Sequence, residues 1–91
     1  MSVLVQFIVE GVNDVDHFIE VMKKWQPTMA EEGARNPSIS VDENSATTVT
    51  TMAEWDSHDV MHAASEKHGE AINADVGQDG LNWITHLWHE K

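Results

Sequence analysis

Residues 54–69 read Glu-Trp-Asp-Ser-His-Asp-Val-Met-His-Ala-Ala-Ser-Glu-Lys-His-Gly, and within them a strand gives way to a helix. Upstream, Ala46 to Trp55 is rich in Thr and Val, residues that suit a pleated surface. Asp56 and Ser57 then turn the chain, and Ser57 is placed to cap a helix. At 100° per residue Val60, Met61, Ala64, Ala71 and Ile72 form that helix's apolar side, with His68 near its centre. His58 and His62 share a flank, while Asp59 and Glu66 face away. Gly69 is a point where the helix can break before residues 70–76 continue it. A tryptophan at a strand end beside a histidine-bearing helix is expected to form one wall of a pocket.

Upstream of this junction, Ser2 to Glu10 forms a strand with Val3, Val5, Phe7 and Val9 on one face and Leu4, Gln6 and Ile8 on the other. Both faces are apolar apart from Gln6, so the strand is expected to be covered twice. Gln6 is then a hydrogen-bonded core residue or a pocket residue. Residues 11–13 turn the chain, and Asn13 or Asp14 caps a helix carrying Val15, Phe18, Ile19, Met22, Trp25 and Met29 on one stripe. Pro27 predicts a kink, or a break with a short second helix, and Gly33 a stop. Arg35 to Ser38 reads as a loop, Ile39 to Asp42 as a short strand, and Glu43 to Ser45 as the turn of a hairpin.

Downstream, Gly77 to Gly80 is a loop and Leu81 to Glu90 alternates as a final strand. Asn82, Ile84, His86 and Trp88 share one face, and Trp83, Thr85, Leu87 and His89 the other. The order β-α-β-β-α-β predicts an α+β, ferredoxin-like domain spanning residues 1–91, an antiparallel four-stranded sheet with two helices on one face. The other face would leave Leu, Ile, Trp and Thr side chains bare, a larger apolar patch than monomers usually carry. A two-fold homodimer with sheets face to face is the economical cover.

The chain of 91 residues is small enough that a partner subunit would help it bury surface. It has no cysteine, which removes disulfides and Cys-based zinc sites. A formal charge of −11 repels phosphate backbones and anionic lipids, so neither nucleic acid nor a membrane is an expected partner. With no signal-peptide pattern near the N-terminus, a cytoplasmic location is the default expectation. His58 and His62 have the spacing of a metal pair, but Asp59 stands where a zincin needs Glu and no third ligand is evident, so no metal is expected. There is no GxGxxG and no Walker loop, which leaves hydride and phosphoryl transfer without support.

The remaining chemistry rests on histidines and tryptophans. His68, in an apolar setting, is either a satisfied core residue or a general base, and His62 could orient a substrate hydroxyl or act as the base itself. Trp55 and Trp83, with Gln6 and His86, are the candidate substrate-binding residues; a cavity between tryptophans favours a flat aromatic ligand.

The apolar first strand, Glu31-Glu32-Gly33 at the first helix end, the hairpin, and Glu54-Trp55-Asp56-Ser57 leading into His62, Ser65 and His68 resemble the antibiotic-biosynthesis-monooxygenase-like proteins of the dimeric α/β-barrel superfamily over essentially the whole chain. The resemblance implies a homodimer with a pocket between each subunit's sheet and helices. It also implies cofactor-independent oxygenation of phenols, anthrones or hydroquinones, in which the deprotonated substrate itself reduces oxygen. Haem-degrading relatives carry Trp near the position of His62 and a ligating His near that of Ile72, so their haem site is not expected here, and their first-strand Asn corresponds to Gln6. Other relatives are isomerases, cyclases or proteins without a known reaction. A non-oxidative enzyme and a non-catalytic ligand-binding or accessory dimer therefore stand as alternatives.

Overall fold

Six elements follow one another in the computed structural model, which describes residues 2–91. They are β1 (Val3–Glu10), α1 (Val15–Glu32), β2 (Arg35–Val41), β3 (Val49–Trp55), α2 (His58–Val76) and β4 (Asn82–His89). Met1, part of the expected domain, lies outside the described residues. The strands form one antiparallel sheet in the order β2-β3-β1-β4, the ferredoxin-like arrangement expected from the element order.

Both helices begin as their sequences direct. The Asp14 carboxylate accepts from the His17 backbone N–H at 3.1 Å, and the Ser57 hydroxyl accepts from that of Val60 at 3.2 Å; each satisfies a donor that the first turn leaves free. α1 ends at Gly33, whose N–H reaches the Ala30 carbonyl.

The helices cover the face of the sheet that carries Val3, Val5, Phe7 and Val9. Two clusters of buried residues lie between the layers. One joins Val3, Val5 and Trp55 to Ala34, Met61 and Ala64; the other joins Val9, Val12 and Val49 to Phe18, Val21 and Val76. In the register, Val3 stands opposite Trp55 and His89, and Val9 opposite Val49 and Trp83. Cross-strand partners share a face. Leu4, Gln6, Ile8, Thr50, Met52, Ile84, His86 and Trp88 consequently belong to the other face, which nothing among the described residues covers.

Several local expectations are corrected. α1 runs through Pro27 without the break into a short second helix, because Met22 and Trp25 before it and Met29 after it stay packed on the same side. α2 likewise continues through Gly69. β2 starts at Arg35 rather than Ile39: the segment taken for a loop is strand interrupted by a bulge between Arg35 and Ser38, with Asn36 at φ 51°. Asparagine tolerates this left-handed conformation better than most residues. β3 starts at Val49 rather than Ala46, since the Thr47 carbonyl accepts from Val12 and the Thr48 carbonyl from Asp42. Val12, assigned to a turn, is fully buried, and Val60 and Ala71, assigned to the apolar side of α2, are exposed. Gly11, at φ 78°, is a position only glycine can fill, because a Cβ there would lie 2.9 Å from the Gly80 carbonyl oxygen.

Candidate functional site

The two core clusters do not merge. Between them lies a cavity of about 380 Å³, lined largely by the half-buried residues at the margins of both. β1 contributes Val5 and Phe7, α1 contributes Met22, Trp25, Gln26 and Met29, and β3 contributes Thr51, Ala53 and Trp55. α2 supplies Ser65, Gly69, Ile72 and Asn73, and β4 supplies Trp83. Ala34, Pro37, Ser38 and Ile39 close the remaining side; a bulge re-aims neighbouring side chains, and the bulge in β2 accompanies Pro37 and Ser38 at the wall.

Three of the four tryptophans therefore meet one cavity, each held differently. Trp55 is buried at the end of β3 among Val3, Met61 and Ala64. Trp83 packs edge-on against Phe7, with ring centroids 6.2 Å apart and an interplanar angle of 82°, and tilted against Phe18 at 5.9 Å. Trp25 is anchored by its indole N–H, which donates to Asp75 Oδ2 at 2.8 Å. That oxygen also accepts from Lys24 Nζ at 2.9 Å, and the hydrogen bonds from Lys24 and then Trp25 hold the Asp75 carboxyl below its ordinary value. The anchor ties α1 to α2 beside the cavity.

The polar groups of the wall are all uncharged: Gln26, Ser38, Thr51, Ser65 and Asn73. Among the described residues, no Asp, Glu, Lys, Arg or His lines the cavity, although the chain carries 16 acidic residues. The Ser65 hydroxyl donates to Met61 Sδ at 3.4 Å.

Of the residues singled out from the sequence, Trp55 and Trp83 come together in this wall. His68 sits just behind it. Its side chain is 17% exposed, its ring lies 5.8 Å from that of Trp25, and its Nε2 is buried without a hydrogen-bond partner among the described residues, 3.7 Å from Glu32 Oε1. Glu32 also accepts from Lys67 Nζ at 3.2 Å, the main reason its carboxyl is held below its ordinary value. His62 is on the outer surface of α2, 63% exposed, 3.2 Å from Glu66 and edge-on to His58.

Gln6 and His86 lie on the bare face, across the sheet from the cavity. Gln6 Oε1 accepts from the Trp88 indole N–H at 3.2 Å, its Nε2 donates to Thr50 Oγ1 at 3.5 Å, and His86 stacks on Trp88 at 5.8 Å. Sequence reasoning did not single out Trp25, Ser65, Gly69 and Asn73 as wall residues. The spacing of 65, 69, 72 and 73 on one helix face was the available signal.

Neither a family model nor a curated protein sequence matches the chain. Solved structures do. SnoaB from Streptomyces nogalater, a cofactor-independent oxygenase, superposes with a TM-score of 0.70 over 99% of this chain and 91% of its own, at 16% identity. The fold is shared with proteins proposed to be antibiotic biosynthesis monooxygenases. A protein proposed as one, from Caulobacter crescentus, gives a TM-score of 0.77 at 13% identity, covering 96% of this chain and 87% of its own. A conserved protein from Methanosarcina mazei gives 0.76 at 16% identity, covering 100% and 95%. At these identities the likeness is one of fold.

Proposed function

We propose that the chain is a homodimeric, cofactor-independent monooxygenase-like protein of the cytoplasm that acts on an aromatic, quinol or polyketide-type small molecule bound in the cavity. The observation that carries this reading is an aromatic-walled cavity between sheet and helices, on a fold shared with a cofactor-independent oxygenase. A desolvated cavity favours a substrate whose own ring delocalises charge once a proton leaves. For an anthrone the balance is complete without a further reductant. The base takes a methylene proton, the carbanion reduces dioxygen and forms a C–OOH bond, and loss of water leaves the carbonyl.

On this reading His68 is the base and His62 is not. His68 packs behind the wall, its ring against that of Trp25, and its Nε2, without a hydrogen-bond partner among the described residues, is free to take a proton. His62 is engaged with Glu66 in solvent. Trp55 and Trp83 bind substrate, while Gln6 and His86 serve the contact between subunits. The bare face supports the dimer: Trp88 is 53% exposed there, beside Leu4, Ile8 and Ile84.

The absence of any ionisable side chain from the lining, among the described residues, favours one rival, a non-catalytic ligand-binding dimer. Oxygen uptake with anthrones and hydroquinones separates the two. The oxygenase consumes oxygen and loses that activity in His68→Ala, whereas the binding protein consumes none.

A further inference from the structure

We infer that the ligand of the cavity is uncharged, and that Gly69 is the residue whose missing side chain makes room for it. This rests on the cavity as the ligand site, and not on the oxygen chemistry proposed for it.

Glycine in a helix interior is unfavourable, because it loses more backbone freedom than any other residue and packs nothing. It is usually explained by a positive φ or by a close neighbour. Neither applies here. Gly69 lies well inside α2 and is not among the positive-φ glycines, which are Gly11, Gly33, Gly77 and Gly80. A Cβ at position 69 would meet nothing within 4 Å, whereas one at Gly33 would press on Val60 at 3.3 Å. What position 69 does touch is the cavity, on the same helix face as Ser65, Ile72 and Asn73. The glycine thus keeps open space that any side chain would occupy.

The charge class of the ligand follows from the rest of the wall. No cationic side chain is present among the described lining residues to meet a carboxylate, sulfonate or phosphate, and no anionic one to meet an amine. Burying an unpaired charge there would be costly. Phe7, Trp25, Trp55 and Trp83 offer ring faces and edges, while Ser65 and Asn73 can satisfy a hydroxyl or carbonyl at the rim.

The test pairs two probes that differ by one sulfonate, neutral N-phenyl-1-naphthylamine and anionic 8-anilino-1-naphthalenesulfonate. They are titrated in high salt, so that the net charge of −11 is screened, and followed by quenching of the cavity tryptophans. The wild-type protein should bind the neutral probe at least tenfold more tightly. Gly69→Leu should weaken neutral-probe binding tenfold or more, and Gly69→Ala should weaken it less while raising Tm by roughly 4 °C.

Equal or tighter binding of the anion by the wild type would overturn the ligand class. Neutral-probe affinity unchanged in Gly69→Leu, or in Gly69→Ala should the leucine variant not fold, would overturn the role of Gly69. So would a wild-type protein that binds neither probe. Tight probe binding without oxygen uptake would refute the oxygenase reading and leave this inference standing.

Discussion

If the bare face joins two subunits as proposed, replacing Ile8 by glutamate should give a folded monomer. Ile8 lies in the middle of the bare face on β1, a central strand, opposite Thr50 on one side and Ile84 on the other. Four strands spaced about 4.8 Å apart, with seven or eight residues each rising about 3.3 Å, outline roughly 19 by 25 Å in projection. With side-chain relief this approaches the ~800 Å² per partner of a standard stable interface, about one seventh of the subunit's 5860 Å². A carboxylate trapped there without a partner costs about 3 kcal/mol or more. Two-fold symmetry places two of them in one interface, and together they should raise the dimer Kd by about 10⁴-fold.

Sedimentation equilibrium at micromolar concentration reads this directly, with far-UV circular dichroism as the check on folding. Lys23→Glu, on the exposed side of α1, should leave the dimer intact. An Ile8→Glu protein that sediments as the wild-type dimer, or a wild-type chain that sediments as a monomer, would refute the assignment of the bare face.

Other outcomes follow from the same contacts. Phe18→Ala removes a fully buried ring from the cluster around Val9, Val49 and Val76 and should cost about 3–5 kcal/mol, visible as a lower denaturation midpoint with unchanged slope. Glu32, Asp56 and Asp75 are held below their ordinary carboxyl values by Lys67, Arg35 and Lys24 respectively. Their stabilisation should be complete above the ordinary carboxylate range, about pH 4, and lost as pH falls through the lowered folded values. Tm measured from neutral to acid pH should therefore drop at the acid end, and drop less steeply in Asp75→Asn. Asp75→Ala should also free the Trp25 indole, shifting tryptophan emission and weakening aromatic-probe binding several-fold; unchanged emission would contradict the anchor. Glu32→Gln should alter the pH profile of any oxygenase activity while leaving KM near the wild-type value, because Glu32 faces His68 and not the cavity.

The layer architecture was legible because the faces of β1 and β4 can be read from a period of two, and the stripe of α1 from a period of 3.6. Pro27 does not divide α1 because its local penalty is outweighed by Met22, Trp25 and Met29 packing on either side. The start of β2 was hidden by Asn36 and Pro37, residues that signal a loop and serve a bulge equally well. Trp55 and Trp83 were legible as pocket residues from aromatic character and strand position. Gln6 and His86 could not be assigned to a side of the sheet by pattern alone, since both faces of these strands are apolar and only the packed helices distinguish them. His62 and His68 differ by six residues on one helix, and the helical wheel already separated an outer flank from an inner side. Gly69 shares a helix face with 65, 72 and 73, but that spacing alone does not single out a glycine; its meaning comes from the empty space beside it.

The central claim is that an aromatic substrate in the cavity reacts with oxygen under the action of His68. Oxygen uptake measured with an anthrone in metal-chelated buffer tests it most directly. Consumption should exceed the autoxidation rate, with one oxygen per carbonyl formed, and fall to background in His68→Ala of wild-type fold. Uptake at the autoxidation rate in the wild-type protein, or full activity in His68→Ala, would contradict it.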